Sequence, residues 1–217
     1  MVRVICILIG YVCGLFQTAY IYGRMQGIDI RSVGSGNAGT TNALRVLGKK
    51  AGAIVFLGDV AKTVIAVLIV KLLFGEAYSD SVYLLAFYTA AGVILGHNFP
   101  FYLQFKGGKG IAATAGMIVA LGPWFVLVEG LVFLITFLTT HYVSLGSLLV
   151  YLALIIQVIV MGQMGFFEGM SEPAMYEMYG VALFLMVMAY WRHRSNIVKL
   201  LNGTERKTYI FKKNKVD

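Results

Sequence analysis

The feature that most constrains this sequence is a succession of apolar stretches, each close to the length that crosses a bilayer. The first, from Val4 to Tyr22, holds no charged residue. About 20 apolar residues carry a helix through roughly 30 Å of hydrocarbon, where every backbone polar group must be satisfied within the protein. Candidate spans fall at 4–22, 51–74, 81–97, 110–122, 123–140, 143–165 and 177–191. The fourth is short for a crossing and meets the fifth at Gly122-Pro123, so it reads as a short helix buried by its neighbours. The first lacks a small-residue cleavage site and is followed by many others, which marks a retained helix rather than a signal peptide. Composition agrees, with 59% of the 217 residues hydrophobic and only 13% charged, well away from a soluble domain. No polar linker divides the chain, and 1–217 reads as a single integral membrane domain. Cys6 and Cys13, both in the first stretch, read as packing residues rather than a disulfide or metal pair.

The expected fold is therefore an all-α polytopic membrane protein of about seven transmembrane helices. Its charges orient it. Of the 18 Lys and Arg residues, all but Arg3, Lys62 and Lys71 lie in 23–50, in the loop holding Lys106 and Lys109, or from Arg192 onward. The intervening loops hold only acids: Glu76 and Asp80 in one, Glu168, Glu172 and Glu177 in the other. Positive loops stay in the cytoplasm, which places the N-terminus outside and the C-terminus inside. The net charge of +8 then needs no nucleic acid to explain it, and suits a surface against anionic lipid headgroups.

Three polar clusters share that cytoplasmic face. In SVGSGNAGTTNALRVLG, Ser32 to Gly48, glycines alternate with small donors: Ser35, Asn37, Thr40, Thr41 and Asn42. Such a backbone can form an anion-binding concavity, to which Arg45 adds a fork matched to phosphate or carboxylate oxygens. In GHNFPFYLQFKGGKGIAAT, Lys106-Gly107-Gly108-Lys109-Gly110 runs directly into an apolar segment, which places an anion at a helix N-terminus. It is no Walker A loop, because Gly110 stands where the magnesium-binding Ser or Thr belongs. His97 is either a donor or base at the site, or a histidine satisfying a buried hydrogen bond. In WRHRSNIVKLLNGTER, Trp191 to Arg206, helical spacing puts His193, Asn196 and Lys199 on one face. Asp59 and Lys62, one turn apart inside 51–74, are costly unless paired; Asp59 is read as structural, orienting a residue of the site.

The stretches SGNAGTTNALRVLG, GHNFPFYLQFKGGKG and RHRSNIVKLLNGTE resemble, in order and spacing, the three motifs of the bacterial acyl-phosphate-dependent glycerol-3-phosphate acyltransferases (PlsY-type). The resemblance covers essentially the whole chain. It implies an inner-membrane enzyme of seven helices with its active site on the cytoplasmic side. It implies transfer of a fatty acyl group from acyl phosphate to the 1-position of sn-glycerol 3-phosphate, giving lysophosphatidic acid and phosphate, with no cofactor and no metal. Carried onto this sequence, it makes Ser35, Arg45, His193 and Asn196 catalytic. Gly107 and Gly108 fall on the phosphate-binding loop between Lys106 and Lys109, and Glu205 on the third motif's acid. Asn37, Thr41, Asn42 and His97 join the substrate-binding set. Two departures stand out: the family's Gly-Val-Ala-Thr after the loop lysine is here Gly110-Ile111-Ala112-Ala113, with Thr114 one place later, and the 162–180 connection is longer than usual.

The residues fit that activity in their own right. Donor and acceptor each carry a phosphate, so the site needs two cationic cradles and an apolar slot open to lipid. The base is left open: no histidine is followed by the acid of a His-x-x-x-x-Asp pair, so a substrate phosphate oxygen, His193 or His97 takes the proton. The basic face leaves room for transient contact with a soluble enzyme that forms acyl phosphate. A transporter or channel for a small anionic solute is the competing reading, although such sites lie near the bilayer midplane and these donors gather at one surface.

Overall fold

The structure, a computed structural model, describes residues 1–209, and the regular elements among them are all helical. Helices α1 (Val2–Gly14) and α2 (Thr18–Met25) share the first apolar stretch. They are followed by α3 (Thr40–Leu47), α4 (Lys49–Phe74), α5 (Val82–Asn98) and α6 (Ile111–Leu121). The chain continues through α7 (Pro123–Thr140), α8 (Val143–Gln163), α9 (Glu172–Arg192) and α10 (Arg194–Leu201). Among the described residues, six segments are long and apolar enough to cross a membrane: Val2–Met25, Lys49–Phe74, Ser79–Leu103, Pro123–Thr140, Val143–Gln163 and Glu172–Arg192. The expected short fourth helix is α6, 11 residues long and roughly 16 Å at 1.5 Å per residue. Gly122, at φ +123°, turns it sharply into α7. The Lys71 ammonium donates to the Ala120 carbonyl at 2.9 Å, closing a helix end that apolar surroundings would otherwise leave unsatisfied.

Helix α5 is the central post. Its Phe87 and Ile94 are fully buried in the main core with Met117 of α6, Tyr151 of α8 and Leu185 of α9. On its other side it meets α1 backbone to backbone. A methyl on Gly10 would stand 2.0 Å from the Thr89 carbonyl oxygen, and one on Gly92 2.2 Å from that of Ile7. Gly14 and Gly96 repeat the contact, each 2.3 Å from the opposing carbonyl oxygen, of Val93 and Tyr11. Two small-x-x-x-small patterns therefore interlock, the device that lets membrane helices approach without a hydrophobic driving force.

That approach positions the site. Between α1 and α2 the helix breaks, and the fully buried Gln17 donates to the carbonyls of Gly96 and His97 at 3.3 and 3.1 Å. Lys62 of α4 takes the freed Phe16 carbonyl at 2.8 Å. The break ties the first span to the end of α5, where the second polar cluster begins. The last span starts earlier than the sequence suggests: the Ser171 hydroxyl caps α9 at the Ala174 N–H, and Pro173 occupies its first turn. Glu177 therefore lies inside α9 rather than in a loop, held by both Nε and Nη2 of Arg3 at 2.5 and 2.6 Å. Both cysteines are free thiols.

Candidate active site

The first cluster folds by spending part of its polarity on itself. Asn42, buried on α3, accepts from the Ser35 N–H at 2.8 Å and donates to the carbonyls of Ile30 and Val33, both at 3.0 Å. Its amide is thus committed to shaping the 30–35 turn. Gly34, at φ +61°, packs onto that amide, with only 2.3 Å between an added methyl and Asn42 Oδ1. This scaffold presents Ser35, Asn37, Thr41 and Arg45 to the cavity, which Asn42 and Thr40 also line, the Thr40 hydroxyl being buried and lacking a hydrogen-bond partner.

The second cluster is similarly self-supporting. The Gly107 and Gly108 N–H groups donate to the carbonyls of Asn98 and His97, both at 3.2 Å. They are not spare donors for a phosphate. The glycines instead allow close packing: a methyl on Gly107 would lie 1.9 Å from the His97 carbonyl oxygen, and one on Gly108 2.1 Å from His97 Nε2. Arg192 closes the loop from α9, its Nη2 donating to the carbonyls of Gly107 and Gly108 at 3.1 and 2.6 Å. The sequence reading missed this arginine, because a basic residue ending a span reads as a membrane anchor.

Asp59 and Lys62 form the expected pair at 2.8 Å, and Lys62 also meets His97 Nδ1 at 2.8 Å, while the Thr18 hydroxyl donates to Asp59 at 3.0 Å. An ammonium can only donate, so Nδ1 accepts and the imidazole proton sits on Nε2. His193 has the opposite tautomer: its Nδ1 lies 2.8 Å from the Ala189 carbonyl, which can only accept, leaving Nε2 as the acceptor. Burial, reinforced by the Lys109 charge, pulls His193 down to about 4. One histidine of the site donates and the other accepts.

The third cluster completes a relay. Glu205 accepts from the Ser144 hydroxyl at 2.9 Å and the Asn196 amide at 2.8 Å, which turns Asn196 Oδ1 toward the Lys109 ammonium that donates to it. Two adjoining cavities share Ser35, Asn37, Lys109 and Asn196. The inner, about 170 Å³, adds Arg45, His97 and His193 and has an apolar wall of Phe56, Ile111, Phe133 and Val143. The outer, about 560 Å³, adds Lys106, Arg192 and Lys199. Burial holds Lys109 at about 8, with Glu205 opposing the shift and Arg192, Lys199 and Arg45 adding to it. Burial likewise lowers Arg45. Buried cations crowded around Glu205, whose carboxylate is already hydrogen-bonded to Ser144 and Asn196, suit an anion of more than one charge.

Comparison with known proteins decides the family. A family profile described as glycerol-3-phosphate acyltransferase matches residues 4–203. The chain belongs to the glycerol-3-phosphate acyltransferase family. It is 43% identical to the glycerol-3-phosphate acyltransferase of Clostridioides difficile (strain 630), over 94% of each chain, and 39% identical to that of Thermoanaerobacter sp. (strain X514), over 95% of this chain and 96% of the relative. Crystal structures of PlsY (YgiH), an integral membrane glycerol 3-phosphate acyltransferase, superpose with TM-scores of 0.81 for the glycerol 3-phosphate form and 0.79 for the lysophosphatidic acid form, each at 30% identity. The alignments cover 95 and 96% of this chain and 96% of the crystallised chain in both.

Within the acyltransferase, the displaced Thr114 and the 162–180 connection fall away from the two cavities, although Ile111 of the first departure lines the inner one. The displaced Thr114 hydroxyl donates to the Gly110 carbonyl at 2.9 Å and meets the Tyr151 hydroxyl, so it stabilises α6 rather than facing a ligand. The 162–180 connection lies at the opposite end of the bundle, where Phe166 and Phe167 pack edge-on against Tyr83.

Proposed function

We propose that this acyltransferase moves a fatty acyl group from acyl phosphate to the 1-hydroxyl of sn-glycerol 3-phosphate, releasing phosphate and lysophosphatidic acid. The observation that carries this reading is the pair of joined, cation-lined cavities with one apolar wall: two phosphates and an acyl chain need those three surfaces. Arg45, Lys109, Lys106 and Arg192 hold the phosphates, with Ser35, Asn37 and Thr41 as neutral donors. Asn196 steers Lys109, and Asn42, Asp59, Glu205, Gly107 and Gly108 are scaffold. The acyl group is bound to phosphate as a mixed anhydride. The acceptor oxygen bonds to the acyl carbon as the bond from that carbon to the phosphate oxygen breaks, so holding the departing charge lowers the barrier.

The tautomers bear on the proton. His97 offers an N–H, which suits an anion or carbonyl oxygen rather than a proton. His193 offers a lone pair, but a site that burial holds at about 4 is a poor base. A substrate phosphate oxygen therefore takes the hydroxyl proton, with His193 orienting the hydroxyl. The break between α1 and α2 is a transporter-like feature, and Gln17 and Lys62 close it.

The same reading places the chain in a bacterial cell membrane as a seven-helix protein with α6 counted, N-terminus outside and site on the cytoplasmic face. That face is basic enough to receive a soluble acyl-phosphate-forming enzyme transiently. The test is purified protein in lipid vesicles supplied with acyl phosphate and labelled glycerol 3-phosphate. Formation of labelled lysophosphatidic acid with release of phosphate is expected; vesicle uptake of label without product would replace this reading with transport.

A further inference from the structure

Residues 204–209 lie beyond the end of the family match at 203, yet they cross the site. The Thr204 and Glu205 N–H groups donate back to the Lys199 carbonyl at 2.8 and 3.1 Å. Four residues on, the Thr208 N–H donates to the His141 carbonyl at 2.9 Å, in the turn between α7 and α8. Between those anchors the segment passes Arg45, whose Nη2 donates to the Arg206 carbonyl at 3.2 Å and to the Thr208 hydroxyl at 2.6 Å. Thr208 is 1% exposed. Among the described residues, no carboxylate lies within ion-pair distance of Arg45, so neutral oxygens of the tail fix its fork.

We propose that Thr208 is a positioning residue for Arg45. An arginine on a two-turn helix has many rotamers, and its ordering subtracts from ligand affinity. By holding one end of the guanidinium, the Thr208 hydroxyl restricts that freedom in advance and leaves the other N–H groups for a phosphate in the inner cavity. This rests on the assignment of Arg45 as a phosphate ligand.

The experiment measures KM and kcat for each substrate in vesicle-reconstituted wild type, Thr208→Val, Thr208→Ser, Arg45→Ala and the Arg45→Ala/Thr208→Val double variant. Valine keeps the shape and removes the acceptor, and serine keeps the acceptor. Thr208→Val is expected to raise KM for one phosphate substrate on the order of tenfold with a much smaller change in kcat, and Thr208→Ser to stay within about twofold of wild type. Added to Arg45→Ala, the valine change should have less than about a twofold further effect, because its target is gone. Unchanged KM in Thr208→Val, or an equal loss in Thr208→Ser, overturns the inference while Arg45→Ala still reports on Arg45. Unchanged KM in Arg45→Ala removes the underlying assignment and with it the role of Thr208. Thr208→Ala carries the same expectation should the valine variant yield no folded protein.

Discussion

The two ends of the bundle handle charge in opposite ways. At the end away from the site, Arg3 grips Glu177 through two nitrogens at 2.5 and 2.6 Å, and the Tyr88 hydroxyl donates to the same carboxylate at 2.6 Å. Within that cluster opposite charges cancel. At the site end the cations find mostly neutral oxygens: Arg45 the Arg206 carbonyl and Thr208, Arg192 the carbonyls of Gly107 and Gly108, Lys109 the Asn196 amide. A carbonyl satisfies an N–H but does not neutralise the charge behind it. The first arrangement is complete in the free protein, whereas the second leaves positive charge that an anion would balance.

The sharpest way to break that contrast is to delete a cation from the site. Arg45→Ala is expected to lower kcat/KM about a hundredfold, since each charge-assisted bond to phosphate is worth roughly 1.5–3 kcal/mol. Initial rates with radiolabelled glycerol 3-phosphate check it, and a loss below about threefold would take Arg45 out of the site. Next come the two loop glycines that are scaffold rather than ligand contacts. In Gly108→Ala the new methyl meets His97 Nε2 at 2.1 Å and the Ala38 carbonyl oxygen at 2.7 Å, so the imidazole must leave its place. A fall in kcat on the order of tenfold is expected, with a stability cost of about 1–3 kcal/mol. Activity assays alongside thermal unfolding in detergent separate the two, and normal kcat would mean that the His97 donor is dispensable.

How legible these regions were follows from what enforces them. A bilayer dictates length and composition, so the spans, the short α6 and the alternation of basic and acidic loops could be read directly. The three polar clusters stood out because donors and arginine have no other reason to crowd beside glycines. The break at Leu15–Gln17 was hidden, because a uniformly apolar stretch carries no signal that Gln17 will bond to another helix. Gly10, Gly14, Gly92 and Gly96 announce close packing but not which helix is the partner. The allocation of donors was equally invisible: only distances reveal that the Asn42 amide and the Gly107 and Gly108 N–H groups serve the fold. Arg192 opens the third motif and Thr208 lies just past it, but their contacts cross long sequence separations that the motif does not reveal.

A gentler test titrates one cation instead of removing it. Lys109 is held at about 8, chiefly by burial and against the pull of Glu205, well below an ordinary lysine. It is therefore charged below about pH 8 and neutral above, so anion binding weakens as pH rises through that value. KM for glycerol 3-phosphate is expected to rise severalfold between about pH 7.5 and 9.5. Lys109→Arg, charged throughout, should flatten that limb. A flat wild-type profile would show that the ammonium does not contribute to binding.

The smallest effect is expected at the opposite end, and its smallness is the point. Arg3 and Glu177 are 43% and 30% exposed at their side chains, and a pair so accessible is worth about 1 kcal/mol or less. Arg3→Gln removes the charge and keeps a donor for Glu177, so a melting-temperature shift of only a few degrees is expected, with KM and kcat unchanged for both substrates. Because this pair neutralises itself, deleting half of it leaves a lone carboxylate far from either cavity and changes no charge that a phosphate meets. Kinetics that shifted in Arg3→Gln as they do in Arg45→Ala would mean that the two ends communicate, with the interlocked glycines of α1 and α5 as a seam joining Arg3 to Gln17 and His97. Unmoved kinetics with a small stability loss would leave the division between a self-balanced pair and an anion-seeking site intact.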